Sequence, residues 1–166
     1  MADALARFEA AFTYPLGPGW TFRISHGNDY PRFYRAMGDA VCFVAENHGE
    51  VVGVLAAAIR TLVWPTGDIR PAVYLGDMKV APAARGGRVL LRLAEAATVW
   101  AGGRADAGFA VVMGGTRVTP DRYTGRPGYR RSAKSPASPS YGSRSRGRAT
   151  NPRTFRRPRV KPFSAG

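Results

Sequence analysis

Residues 78–91 read Met-Lys-Val-Ala-Pro-Ala-Ala-Arg-Gly-Gly-Arg-Val-Leu-Leu. The strand prediction covers residues 72–80, which are rich in β-favouring residues and include the start of this stretch; the strand ends at Ala81-Pro82. Residues 85–100, which include the end of this stretch, carry apolar side chains at three- and four-residue spacing and predict a helix that stops at Gly102-Gly103. The stretch is therefore a junction at which a strand passes through a glycine turn into a helix.

Such a junction can bind an anion. The first N–H groups of a helix have no intrahelical acceptor, and they lie at the positive end of the helix dipole. Arg85 and Arg88 would add charge-assisted hydrogen bonds, so a pyrophosphate fits this turn. A glycine pair before a helix is also typical of a plain turn, so the motif alone leaves both interpretations open.

The elements around this junction follow from apolar periodicity and turn residues. Helices are predicted at 4–12 and 30–37, and strands at 20–24, 40–46, 51–63 and 108–113. The last of these strands is apolar on both faces, which predicts a place in the centre of a sheet. The order of helices and strands indicates an α/β fold, a mixed sheet with helices on its faces.

The junction resembles the acetyl-CoA signature of the GCN5-related N-acetyltransferase (GNAT) superfamily. In that family a strand ends in Leu-x-Val-x-Pro, and Arg-Gly-x-Gly-x-Gly then opens a helix. The matching residues here are Met78, Val80, Pro82, Arg85 and Gly86. The resemblance covers about residues 20–115 and the order of elements agrees. It implies a mostly antiparallel central sheet with helices on both faces, and acetyl-CoA as co-substrate.

The resemblance also implies which residues contact the coenzyme. The backbone of residues 77–80 would pair with the pantetheine arm at a splayed strand, and the amides of residues 86–90 would hold the phosphates. The implied coenzyme-binding residues are Met78, Lys79, Val80, Arg85, Gly86, Gly87, Arg88, Val89 and Leu90.

The loop departs from the family pattern at two positions. The second and third glycines of the family fall on Arg88 and Leu90, where a side chain crowds a closely approaching phosphate. Gly87, one place early, and the charge of Arg88 are features that would compensate. The alternative is a weakened coenzyme site.

By the same resemblance, acetyl passes directly from the thioester to an amine of a small molecule or peptide, without a covalent enzyme intermediate. Asp77 is the candidate base, acting directly or through water; the alternative is an ion pair with Lys79 or an arginine. Tyr123 is the candidate acid for the leaving thiolate; the alternative is a surface tyrosine. His26 and His48 are interpreted as turn residues.

The positive charge is concentrated at one end of the chain. Residues 1–120 hold 12 Lys and Arg against 10 Asp and Glu, whereas residues 121–166 hold 13 against 1. The sequence therefore predicts an acetyltransferase-like domain at 1–126 and a basic, disordered tail rich in Arg, Ser and Pro at 127–166.

Two interpretations of the tail stay open. An Arg-rich arm with interspersed aromatic residues is suited to salt-dependent nucleic-acid binding. Alternatively, the tail is a frame-shifted translation of the last strands of the fold, which this chain does not offer after about Gly128. In that case the acceptor pocket would be incomplete and the protein a degenerate relative.

The cysteine count and the lengths of the apolar segments exclude several classes of protein. One cysteine, Cys42, excludes an internal disulfide, and no metal-binding motif is present, so no metal is expected. No apolar segment is long enough for a membrane span. The first residues carry an early acid, Asp3, and no apolar h-region, so no secretory signal is expected. We expect a cytoplasmic protein that is a monomer or a homodimer.

Overall fold

A computed structural model describes residues 1–112 and 159–163. The helices are α1 (Ala2–Ala10), α2 (Arg32–Arg35) and α3 (Val89–Ala101), with a 3-10 turn at Pro82–Ala84. The strands are β1 (Tyr14–Gly17), β2 (Trp20–Phe22), β3 (Asp39–Asn47), β4 (Glu50–Val63), β5 (Ile69–Val80), β6 (Ala107–Ala110) and β7 (Arg159–Phe163). None of the described helices is long and apolar enough to cross a membrane.

The described strands form one five-stranded sheet and one separate hairpin. The order in the sheet is β6-β5-β4-β3-β7, and β1 pairs with β2 alone. Strands β3, β4 and β5 are antiparallel neighbours, β7 is antiparallel to β3, and β6 is parallel to β5. The predicted mixed, mostly antiparallel sheet is confirmed.

Helices cover both faces of this sheet. Successive residues of β4 alternate between the two sides: Leu55 and Ala57 pack with α3, whereas Val54 and Ala56 pack with α1 and α2. All four are fully buried, because the sheet is covered above and below. The first core is filled from α3 by Val89, Leu93 and Ala97, and the second by Leu5 and Phe8 of α1, Tyr34 of α2 and Tyr30, which precedes α2.

The helix predicted at 30–37 covers only Arg32–Arg35, and two other differences between prediction and structure bear on the candidate site. Helix α3 begins at Val89 rather than at residue 85, because the 3-10 turn and the two glycines precede it. Strand β6 was predicted in the centre of the sheet, but among the described strands it lies at the edge, paired only with β5. Gly108 and Ala110 are exposed there, because the described part of the chain supplies β6 with one neighbour.

Five residues of the predicted tail form a strand. Residues 159–163 run antiparallel to β3, from Cys42↔Phe163 to Glu46↔Arg159. Val160 packs against the core under α3 and Phe163 against the opposite core. The backbone of residues 159–163 pairs with the N–H and C=O groups at the edge of β3, and these two apolar side chains add to the two cores. Residues 113–158, with both interpretations of the tail, lie outside the described residues.

Candidate active site

A gap opens between β5 and β6. The two strands pair from Ala72↔Ala107 to Leu75↔Ala110, where β6 ends, while β5 continues to Val80. Within residues 1–112 and 159–163, no strand pairs with residues 76–80 on that side. On that side, this half of β5 therefore has no strand partner among the described residues.

A β-bulge lies at the start of the gap. Lys79 pairs with Val54 and Gly76 with Ala56, so Asp77 and Met78 together oppose one residue of β4. Asp77 takes a positive φ of 54°, a conformation that Asp tolerates better than most side chains. The extra residue shifts the alternation, so Asp77 joins Lys79 on the face of α1 and α2, while Met78 packs on the α3 side.

The predicted anion-binding turn lies beyond the end of β5. Residues 85–88 are all exposed, and Gly86 has a φ of 81°, in the left-handed region that favours glycine. No side chain caps α3 at Arg88, so its first amides have no partner from a cap. The Arg85 Nε–H donates to the Val80 carbonyl at 3.4 Å, which holds this guanidinium beside the gap.

The structure brings the predicted coenzyme-binding residues to two adjoining places. Met78, Lys79 and Val80 lie on the open half of β5, and residues 85–90 form the turn and the first residues of α3. Val89 is buried in the core. Leu90 is partly buried.

Asp77 belongs to a buried group of charged side chains. The Lys79 ammonium lies 2.6 Å from Asp77 Oδ1 and 3.2 Å from Glu9 Oε1, and all three side chains are at most 5% exposed. The Tyr30 O–H donates to Asp77 Oδ2. Of the two interpretations of Asp77, the ion pair with Lys79 is present, and the role as a base stays a prediction.

His26 completes this group, which we call the polar cluster: Glu9, His26, Asp77 and Lys79. The His26 Nδ1 atom lies 2.5 Å from Glu9 Oε1, and the His26 backbone N–H donates to Glu9 Oε2 at 2.9 Å. The ring packs against Tyr30, with 4.3 Å between centroids. The interpretation of His26 as a simple turn residue therefore missed its buried partner.

The sequence held a signal for Glu9 but none for His26. Glu9 is four residues after Leu5 on α1, so it lies on the apolar side of that helix, where a carboxylate needs a partner. His26 sits between short elements, and no periodicity points it inward. Tyr123, the predicted acid, lies outside the described residues.

Burial and pairing shift the pKa values of the cluster in different directions. Burial raises the pKa of Asp77 above its ordinary value, although the Lys79 charge opposes this. Burial would lower the pKa of Lys79, but the Asp77 carboxylate outweighs it and the pKa is raised. Burial would raise the pKa of Glu9, but hydrogen bonds from His26 and the Lys79 charge hold it below its ordinary value.

The cluster has the donor atoms of a metal site, but it already contains a cation. One atom each from Glu9, His26 and Asp77 lies within 4.8 Å of the others. The Lys79 ammonium contacts both carboxylates, in the place that a bound cation would take. We therefore assign the positive charge of the cluster to Lys79.

The strand order brings three features together along the second half of β5 and just beyond its end. They are the gap after Leu75, the bulge at Asp77 and the glycine turn before α3. The fold is GNAT-like. Each feature lies within residues 20–115, the segment that resembles the family, and the order of elements is the one that the resemblance implies.

Several solved structures are similar to the described part of the chain. An aminoglycoside N-acetyltransferase in complex with CoA is 23% identical over 48% of this chain and 61% of that one, with a TM-score of 0.42. A glucosamine-6-phosphate N-acetyltransferase from Arabidopsis thaliana is 16% identical over 49% and 56%, with a TM-score of 0.41. A transcriptional regulator from Bacillus halodurans is 17% identical over 68% and 76%, with a TM-score of 0.49.

These TM-scores are below 0.5, so the likenesses add no support for an activity or a substrate. The chain spans only 61% and 56% of the lengths of the two named N-acetyltransferases. No protein-family model and no curated protein matches the sequence.

Proposed function

We propose that the chain is an acyl-CoA-dependent N-acetyltransferase that transfers acetyl from acetyl-CoA directly to an amine. One observation carries the proposal. The open half of β5 ends beside the exposed glycine turn and the first amides of α3. An extended arm and a pyrophosphate joined in one ligand would be bound by these two features together.

The coenzyme would bind through backbone groups and charge. The pantetheine arm would pair with residues 77–80 of β5 in the place that a further strand would occupy. The pyrophosphate would accept hydrogen bonds from the amides of residues 86–90, with Arg85 and Arg88 supplying positive charge. Because Arg88 is exposed, its side chain can turn aside for a phosphate.

The reaction would take place at the bulge. The amine nitrogen would attack the thioester carbonyl carbon, and the carbon–sulfur bond would break with its electron pair on sulfur. The polar cluster would receive the proton of the amine, since it adjoins the open strand. Tyr123 stays the proposed acid for the thiolate.

A calorimetric titration of the full-length chain with acetyl-CoA tests this proposal. We expect saturable binding that weakens about tenfold or more in Arg85→Ala, because a charge-assisted hydrogen bond contributes roughly 1.5–3 kcal/mol. Arg70→Ala is the matched control, since Arg70 is an exposed arginine at the other end of β5. A folded chain that does not bind acetyl-CoA would rule the proposal out.

The acceptor is proposed as a primary amine of a small molecule or a peptide. A panel that includes an aminoglycoside, glucosamine 6-phosphate and a short peptide would separate these classes by the rate of free thiol released. Product identified by mass as an acetylated amine would support direct transfer. Thiol release without an acetylated product would indicate hydrolysis instead.

Nucleic-acid binding is a second candidate function, favoured by the charge of residues 121–166. We expect binding of a single-stranded DNA probe by fluorescence polarisation to fall steeply with salt. Replacing Arg144, Arg146 and Arg148 by Gln should reduce that salt slope without changing acetyl-CoA binding. An unchanged slope would count against a role for this arm.

A further inference from the structure

Glu9 holds the His26 ring in one orientation. One carboxylate oxygen binds Nδ1 at 2.5 Å, and the other accepts the His26 backbone N–H at 2.9 Å. When a carboxylate binds Nδ1, that nitrogen carries the proton of the neutral ring and Nε2 becomes the acceptor. The pair has the arrangement of a histidine base that is oriented by a carboxylate.

The two oxygens of Asp77 are both engaged. Oδ1 binds the Lys79 ammonium at 2.6 Å, and Oδ2 accepts the Tyr30 O–H. Among residues 1–112 and 159–163, no group is hydrogen bonded to His26 Nε2, although the ring is only 9% exposed. Within the described residues, Nε2 is therefore the acceptor atom of the cluster that has no hydrogen-bond or ion-pair partner.

The imidazole also lies beside the side chain of the bulge residue. Its Nδ1 atom is 3.9 Å from Asp77 Oδ2, and Asp77 is the bulge residue at the start of the gap. With Lys79 charged, Glu9 and Asp77 leave the cluster with one uncompensated negative charge. A proton that arrived on the imidazole would neutralise it.

We propose that His26 Nε2 accepts the proton of the acceptor amine, that Glu9 positions the ring, and that Asp77 organises Lys79 and Tyr30. The inference rests on the proposed acetyl transfer. As the nitrogen–carbon bond forms and the carbon–sulfur bond breaks, the electron pair stays on sulfur. The proton moves from nitrogen to Nε2, and a proton donor from solvent or the protein then neutralises the thiolate.

The titratable groups that face His26 lie on or next to three elements. They are Glu9 on α1, Tyr30 just before α2, Tyr34 on α2 and Asp77 on β5, with Lys79 of β5 bound to both carboxylates. A pH profile of the wild type therefore reports the whole cluster, and variants are needed to assign a limb of the profile to one residue.

An affinity label tests the inference without an acceptor. Bromoacetyl-CoA would place its CH₂Br carbon where the acetyl group lies; Nε2 would displace bromide and form a nitrogen–carbon bond. We expect the adduct on His26 by peptide mass spectrometry, blocked by acetyl-CoA, with the exposed His48 unlabelled as the internal control.

Two variants define the roles. His26→Asn, which keeps an N–H toward Glu9, should bind acetyl-CoA like the wild type but lose the adduct. Glu9→Gln should bind acetyl-CoA normally and be labelled several-fold more slowly, with an altered pH profile of labelling. A purely structural role for Glu9 would not change that profile.

The outcomes separate the two proposals. If the wild type does not bind acetyl-CoA, the proposed function fails and the inference fails with it. If it binds acetyl-CoA but the label attaches to Asp77, to another residue or to none, the inference is overturned while the proposed function stands.

Discussion

The Cγ1 atom of Val89 lies 2.6 Å from the position that a Cβ atom would take on Gly53. Val89 is the first residue of α3, and Gly53 lies on β4 opposite Val80, the last residue of β5. The start of the helix therefore rests directly on the sheet where the open strand ends. This contact determines how far the glycine turn lies from the gap.

We expect Gly53→Ala to displace the start of α3. The added methyl would meet Val89 Cγ1 at 2.6 Å and Leu93 Cδ1 at 3.1 Å, in a core with little free space. The free energy of unfolding should fall by about 1–3 kcal/mol, and acetyl-CoA binding should weaken as well. Urea denaturation and calorimetry measure the two effects.

Two further variants test that explanation. Gly108→Ala is the control, because its nearest atom would be the Val73 carbonyl oxygen at an ordinary 3.7 Å. Val89→Ala in the Gly53→Ala background removes the clashing atom and should recover part of the lost coenzyme binding. A Gly53→Ala protein as stable as the wild type would contradict the close contact.

The glycine at the turn is required by its backbone conformation. Gly86 has a φ of 81° and open space around it, so Gly86→Ala should cost about 1–2 kcal/mol through strain alone. Gly67 has a φ of 85°, is equally open, and lies in the β4–β5 turn at the far end of the sheet. We expect both alanine variants to lose similar stability, but only Gly86→Ala to bind acetyl-CoA more weakly.

The Glu9 pair should make stability sensitive to acid. The pKa of Glu9 in the folded protein is below its ordinary value of 4.5. The ionised Glu9 therefore contributes to folding stability above pH 4.5, and this contribution is lost as the pH falls through the folded-state pKa. The stability difference between the wild type and Glu9→Gln should therefore shrink below pH 4.5. Urea denaturation at a series of pH values measures it, and a difference that is constant with pH would contradict the pairing.

Strand β7 should contribute to stability through its apolar residues. Val160 is half-buried against the core under α3, so Val160→Asp should lower the free energy of unfolding by about 1–3 kcal/mol. Lys161→Ala, its neighbour, breaks only an exposed ion pair with Glu46 and should cost less than about 1 kcal/mol. Equal effects of the two variants would show that residues 159–163 do not pair with β3.

The single cysteine should report global unfolding. Cys42 is fully buried, and this burial raises the pKa of its thiol to about 12. Because the thiolate is the reactive form, iodoacetamide at mildly alkaline pH should modify the chain only in denaturant. Rapid alkylation of the native protein would place Cys42 outside the core.

Local sequence patterns predicted most of the secondary structure. Alternating apolar residues predicted β3, β4 and β5, and apolar residues three or four apart predicted α3. Both spacings depend only on which side of a single element faces a core. The glycine turn was equally readable, since Gly86 needs a backbone conformation that its own residue type permits. The candidate coenzyme-binding residues were implied by the family resemblance of this same contiguous stretch, and that assignment stays a prediction.

The polar cluster required the folded chain. Glu9 and His26 are 17 residues apart, and Glu9 and Lys79 are 70 apart, so no local spacing links them. The bulge that turns Asp77 toward them depends on how β5 pairs with β4, a property of two strands together. The same holds for β7, whose five residues acquire a partner only at the edge of β3. Periodicity reports the side of an element that is buried, whereas packing between distant segments sets which side chains meet there.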